Sequence, residues 1–192
     1  MEVTHAQLVH ELAEAAKKAF LKLFENGERY YYCALTTPGE AFCPAPVAWS
    51  WEALEREAHK HPHYGEHEEA KKVLKWSYGE SPYFCFGWDE YFTTIRELFD
   101  RLPHIGDFIR NGNLEEWEKQ HDFRMKIMEL ALKQIDSEGI FALNQPRSEV
   151  YVNVEVMPPD YTNTERALRL NKAEDIAVWL EEAAEPLLDS EN

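Results

Sequence analysis

Four of the eight histidines lie between positions 59 and 67: His59, His61, His63 and His67. Neutral imidazoles at close spacing ligate zinc or nickel. His61, His63 and His67 are the candidate metal ligands, and Glu66 and Glu68 stand where they can complete a set. The same stretch also reads as a solvated, charge-rich connector. It spans a helix end, Pro62 and Gly65, no cysteine joins it, and its spacing matches no established zinc finger. Two fragments approach metalloprotease spacing, His10-Glu11-Leu12-Ala13-Glu14 and His67-Glu68-Glu69-Ala70-Lys71. Each lacks the second histidine that H-E-x-x-H places one turn later on the same helix face. The chain has no G-x-S-x-G elbow and no phosphate-binding glycine pattern. His121 falls on the apolar stripe of a long helix, where a hydrogen-bonded core histidine is the ordinary outcome. Acid pairs such as Asp89-Glu90 suit general acid–base work, but among 36 acidic residues such pairs arise by chance. No catalytic residue and no cofactor follow from these patterns, and the balance leans away from an enzyme.

The remaining chemistry is that of recognition. Trp76, Tyr78, Tyr83, Phe84, Phe86, Trp88, Tyr91 and Phe92 fall within seventeen positions. Such a cluster either packs as core or anchors a partner, since interfaces favour Tyr and Trp. The formal net charge is -16, and residues 173–192 hold seven acids with no Lys or Arg. That balance excludes phosphate-neutralising surfaces for nucleic acid and disfavours anionic lipid. If charge steers an encounter, the partner is a basic protein. Trp88, Asp89, Glu90, Tyr91, Glu181 and Glu182 are the candidate contacts. The non-enzymatic expectation is therefore a protein-binding module, and the alternative is a metal-binding protein or metal-dependent enzyme built on His59–His67.

The elements that must carry these residues are legible in part. Thr4 with Gln7 makes a capping box for a first helix, whose apolar face includes Leu8, Leu12, Ala16, Phe20 and Leu23, and Asn26-Gly27 stops it. Tyr30–Leu35 reads as a strand, Pro38-Gly39 as a turn, and Ala41-Phe42-Cys43 as an antiparallel return that Pro44 and Pro46 break at an edge. Ser50 caps a helix to about Lys60, and a short charged helix runs from Glu66 to about Trp76, with Glu68 placed to pair Lys72. Asn113 with Glu116 caps a long helix that Gly139 ends. Its stripe of Leu114, Trp117, His121, Met125, Met128, Leu132 and Ile135 predicts deep burial. Ile140–Leu143 reads as a strand. Val150–Val156 alternates cleanly, with valines on one face and Tyr151, Asn153 and Glu155 on the other. Asn171 with Glu174 is expected to cap the last helix, and Arg166 and Arg169 to pair with its acids. This order predicts an α+β fold: a small, mainly antiparallel sheet flanked by several helices, in a single domain over residues 1–192.

No apolar run reaches the roughly 20 residues of a membrane helix. Met1–His5 lacks the basic start and apolar core of a signal peptide. Cys33, Cys43 and Cys85 are odd in number and form no C-x-x-C pair, which suits a reducing compartment and a cytoplasmic location. Composition leaves the oligomeric state open.

Three segments together carry a family resemblance. The first helix leads into Tyr30-Tyr31-Tyr32-Cys33-Ala34-Leu35, Trp76-Ser77-Tyr78 follows in mid-chain, and Arg166-Ala167-Leu168-Arg169-Leu170-Asn171 precedes a helix with Trp179-Leu180. This pattern resembles the bacterial family catalogued as domain of unknown function 4303. The resemblance covers nearly the whole chain and implies a small cytosolic bacterial protein with no established reaction. Members are suspected to include immunity proteins that neutralise toxins passed between competing bacteria. The family supplies no catalytic residues to carry over.

Overall fold

Local signals set the first elements. In the computed structural model, which describes residues 3–188, α1 (His5–Phe24) begins where Thr4 Oγ1 accepts the Gln7 N–H at 3.2 Å. It ends before Gly27, whose φ of +76° suits a residue without a Cβ. β1 (Tyr30–Pro38) then pairs antiparallel with β2 (Ala45–Ser50). An irregularity between Tyr30 and Tyr32 turns the consecutive Tyr31 and Tyr32 to the same side of the sheet. Ser50 caps α2 (Trp51–Lys60), accepting the Ala53 N–H at 2.9 Å. The turn Pro62–Tyr64 leads to α3 (His67–Leu74).

The chain then crosses an aromatic loop and short helices α4 (Trp88–Tyr91), α5 (Thr93–Phe99) and α6 (Ile105–Arg110). The long α7 (Leu114–Ser137) follows, capped by Asn113 as its sequence predicts. Only its second half is buried, from Arg124 to Ile135, while Leu114 is exposed. β3 (Tyr151–Met157), α8 (Tyr161–Leu170) and α9 (Ala177–Glu182) complete the described chain.

The fold is α+β, but the sheet is mixed rather than mainly antiparallel. Its order is β2-β1-β3, and β3 lies parallel to β1. β2 already brings the chain back to the end at which β1 starts, and the long helical connection begins and ends on that side, so β3 enters parallel to β1. Two expected strands are absent. Ala41–Cys43 is a turn with Ala41 at φ +50°, and β2 starts two residues later. Ile140–Ala142 is a 3₁₀ turn that buries Ile140 and Phe141, with Phe141 edge-on to Phe20 at 5.4 Å. Pro46 does lie on an edge strand but inside it. Its carbonyl faces outward and accepts the Cys85 N–H at 2.9 Å, so the missing proline N–H breaks no ladder.

Each face of the sheet buries its own cluster. Cys33, Leu35, Val152 and Val154 pack against α1 and α7. Tyr32, Ala34, Trp49 and Tyr151 pack against α2, α3 and the α9 segment. Both faces being covered, the strands are apolar almost throughout.

The outer edges are closed by side chains rather than by more strands. Along β3, Asn171 Nδ2 donates to Val152 O at 2.7 Å, while Asn171 Oδ1 accepts the Val152 N–H at 3.1 Å. Arg166 Nε donates to Val154 O at 2.9 Å. Asn163 Oδ1 accepts the Val156 N–H at 2.8 Å, and its Nδ2 donates to Val156 O at 3.0 Å. Along β2, Ser81 Oγ donates to Ala48 O at 2.5 Å. This arrangement corrects two expectations. Asn171 ends α8 and serves β3 instead of capping the last helix, which starts at Ala177. Arg166 turns inward over β3, and Arg169 pairs with Glu129 of α7 at 3.1 Å, so neither meets the acidic C-terminal helix.

Candidate functional site

Tyr31 and Tyr32, turned to one side by the irregularity in β1, start an aromatic surface over the sheet. Tyr31 stacks on Trp51 with ring centres 4.1 Å apart and meets Trp76 edge-on at 5.5 Å. Tyr151, next across the sheet, stacks on Trp179 at 4.6 Å and on Tyr32 at 5.4 Å. Tyr31, Trp51, Trp76, Tyr151 and Trp179 line an open cavity of about 350 Å³, together with Glu149, Asp175 and Lys75. Its size and its mix of apolar wall and few polar groups are those of a binding site.

The cavity is the first of three adjoining depressions. The second, of about 240 Å³, shares Trp76 and Trp179 with it and reaches Tyr78, Glu155 and Met157. The third shares Tyr78 and Met157 with the second and runs past Thr36, Phe84 and Cys85 to Trp88. The three are adjacent through these shared residues and are together called the groove; their β3 residues run from Tyr151 to Met157. That run covers roughly 20 Å at about 3.3 Å per residue. Four carboxylates line the groove, Glu149, Asp175, Glu155 and Glu185, against the single ammonium of Lys75.

Hydrogen bonds fix the walls. Tyr31 OH donates to Lys75 O at 2.7 Å, and Trp49 Nε1 to Ser77 O at 2.7 Å, so the loop after α3 is tied to the sheet. Glu28 accepts from Ser50 Oγ and Tyr83 OH, each at 2.5 Å, and from Arg56, which secures the loop further on. Lys75 Nζ and Trp76 Nε1 each donate to Glu182 Oε2 at 2.8 Å. The Lys75 bond in particular holds the Glu182 carboxyl below its usual range. Lys75 also lies 5.0 Å from the Trp76 ring centre and 5.8 Å from that of Trp51, so both rings already face a cation.

At the floor, Glu155 is buried. Tyr32 OH donates to its Oε2 at 2.6 Å and Tyr151 OH to its Oε1 at 2.9 Å. Burial outweighs these bonds and raises the Glu155 pKa, and it raises both tyrosines as well. A carboxyl raised in the fold binds its proton more tightly there than in the unfolded chain. Stability therefore falls as pH rises from the ordinary carboxyl range through the raised value, at about 1.4 kcal/mol per unit of displacement. Glu155→Gln mimics the protonated carboxyl and is expected to remove that decline, leaving the variant the more stable protein above it. Urea midpoints measured across pH 4–8 check this, and parallel curves for the two proteins would refute it.

The aromatic cluster at 76–92 divides between core and surface. Phe92 is buried in the core, whereas Trp76, Tyr78, Phe84 and Trp88 line the groove. Trp88 is half-buried at the far end, stacked on Phe92 at 5.4 Å with Arg96 5.1 Å from its ring centre. Gly87, at φ +72°, sets its position, and a Cβ there would lie 2.6 Å from the Tyr91 ring. Asp89 and Glu90 are exposed beside Trp88, and Tyr91 is half-buried. Glu182 belongs to the near end, and Glu181 is exposed next to it. Of the six contact residues that sequence reasoning named, Trp88 lines a depression and Glu182 bonds to Lys75 and Trp76 of another, whereas Asp89, Glu90, Tyr91 and Glu181 line none of the three. Tyr31, Trp51, Tyr151 and Trp179 were missed, since only the tertiary fold brings them together.

The histidines separate into two groups. His61 and His63 lie edge-on to each other at 5.3 Å, with His61 Nε2 3.8 Å from Glu57. His67 lies apart from them, against His59 with ring centres 3.9 Å apart and its Nε2 2.6 Å from Glu55 Oε1. Glu66 caps α3, and Lys71 rather than Lys72 pairs with Glu68, at 3.3 Å. His121 is half-buried and stacks on Trp117 at 5.2 Å. Cys33 is buried with its thiol pKa pushed up by that burial, and burial raises Cys43 and Cys85 too.

A family model, Domain of unknown function (DUF4303), matches residues 12–172. The span takes in all three strands and most of the groove but stops before Trp179. No curated protein and no solved structure matches the chain. No helix among the described residues is long and apolar enough to cross a membrane.

Proposed function

We propose that this chain, which belongs to the DUF4303 family, is a non-enzymatic protein-binding module that seats an extended, basic segment of a partner along the aromatic groove. The observation that carries this reading is the row of three adjoining depressions, walled by Trp and Tyr, with Glu149, Asp175 and Glu185 in their lining, and buried Glu155 beneath, against the one ammonium of Lys75. Arg and Lys side chains gain from aromatic faces and from nearby carboxylates. A groove of roughly 20 Å accommodates about six residues of extended chain. The net charge of -16 accelerates encounter with such a partner and makes the rate depend on salt. An immunity protein that blocks a basic toxin is the biological role in keeping with this chemistry.

Trp51, 39% exposed at one end, and Trp88, half-buried at the other, are the anchors to remove. With the partner isolated on the tagged protein, Trp51→Ala and Trp88→Ala are each expected to weaken binding at least tenfold, about 1.4 kcal/mol or more. The circular dichroism spectrum should be unchanged. Raising salt should slow association of the unaltered protein. Folded variants that keep full affinity would place the interface elsewhere.

A further inference from the structure

The geometry points to a divalent-cation site of the zinc type between α2 and the start of α3, with Glu55, His59 and His67 as its ligands. One ligand atom from each of these residues lies within 4.8 Å of the other two. Glu55 and His59 stand one helical turn apart on α2, so their side chains share a face. The turn Pro62–Tyr64 folds α3 back so that its first residue, His67, meets that face.

The tautomers suit a metal. His59 Nδ1 lies 2.7 Å from the Glu55 carbonyl oxygen, which can only accept, so that nitrogen carries the proton and Nε2 holds the free lone pair. A ligating histidine is usually tethered this way. His67 Nε2 and Glu55 Oε1 share a proton at 2.6 Å. A cation takes the place of that hydrogen, and the proton moves to His67 Nδ1, which is buried and makes no other hydrogen bond. Lys71 Nζ holds the second Glu55 oxygen at 3.0 Å, leaving Oε1 for the ion. Bonds of about 2.1 Å in a tetrahedral set place ligand atoms about 3.4 Å apart. The close Glu55–His67 contact must therefore open slightly, and the longer separations close, for an ion to bind. Glu55 and His59 are exposed, so an ion has access and water can fill the fourth position. Of the three ligands suggested by sequence spacing, His67 belongs to this set, and His61 and His63 lie outside it.

The test uses the full chain without a histidine tag, stripped with chelator and titrated calorimetrically with zinc alone. One equivalent is expected to bind. Glu55→Gln, His59→Ala and His67→Ala should each weaken binding at least tenfold, whereas the double variant His61→Ala, His63→Ala should bind as the unaltered chain does. Zinc at a hundredfold excess over its dissociation constant should raise the unfolding midpoint of the unaltered protein by about 5–10 °C, and of the three ligand variants far less. Glu55→Gln preserves the helix surface, so its circular dichroism separates loss of a ligand from loss of fold. Absence of saturable binding, or binding that depends on His61 and His63 instead, would overturn the assignment.

Discussion

Asn163→Ala is expected to cost about 3–5 kcal/mol, a large share of the roughly 5–15 kcal/mol that holds a domain together. The residue is buried on α8, and its amide answers both the N–H and the carbonyl of Val156 while accepting from Arg166. Alanine leaves all three groups buried without a partner, and each orphan costs about 1–3 kcal/mol. No neighbouring side chain is placed to substitute, because Asn171 is committed to Val152 and Arg166 to Val154. Equilibrium urea denaturation measures the loss. A change below about 1 kcal/mol would mean that water serves this edge as well as the amide does.

Trp49 gives the second large effect. It is fully buried in the cluster under the groove, and its indole N–H holds Ser77 O. Trp49→Ala is expected to cost about 3–5 kcal/mol through the cavity it leaves. Trp49→Phe keeps most of the packing and loses mainly the hydrogen bond, about 1–2 kcal/mol. The Phe variant is the more informative of the two. It should remain folded while amide exchange over residues 76–86 accelerates, because one of the ties between that loop and the sheet is gone. Unchanged exchange in that segment would show that Ser81 and Glu28 suffice to hold the groove wall.

The sequence signals that held are those confined to one element. Thr4, Ser50 and Asn113 mark helix starts because a cap is a contact within four residues. The valines of β3 mark a strand by alternation. The direction of β3 was not legible, since an alternating pattern is the same for parallel and antiparallel pairing. Ile140–Leu143 misled because a short apolar run fits a strand and a buried 3₁₀ turn equally well. α8 escaped notice for a more particular reason. Its inward side presents Asn163 and Arg166 to a strand edge and Thr164 to the Glu185 carbonyl, so much of the expected apolar stripe is missing. The overlooked sign was Asp160, whose carboxylate caps Thr162. For the metal site proposed above, the one-turn spacing of Glu55 and His59 was present in the sequence, but the fold-back that brings His67 beside them is tertiary.

The parallel pairing of Tyr30–Pro38 with Tyr151–Met157 has a consequence for the time course of synthesis. β1 and β2 are neighbours in sequence and can pair as soon as both have emerged. The second side of β1 must wait for more than a hundred further residues, and contacts that close such long loops form slowly. Until then the central strand offers an open edge while its covering helices accumulate around it. The last wall of the groove, Trp179, arrives later still. A nascent or truncated chain can therefore hold α1 and the β1–β2 pair while the aromatic surface over the sheet is still unassembled, because Tyr151 and Trp179 are not yet in place.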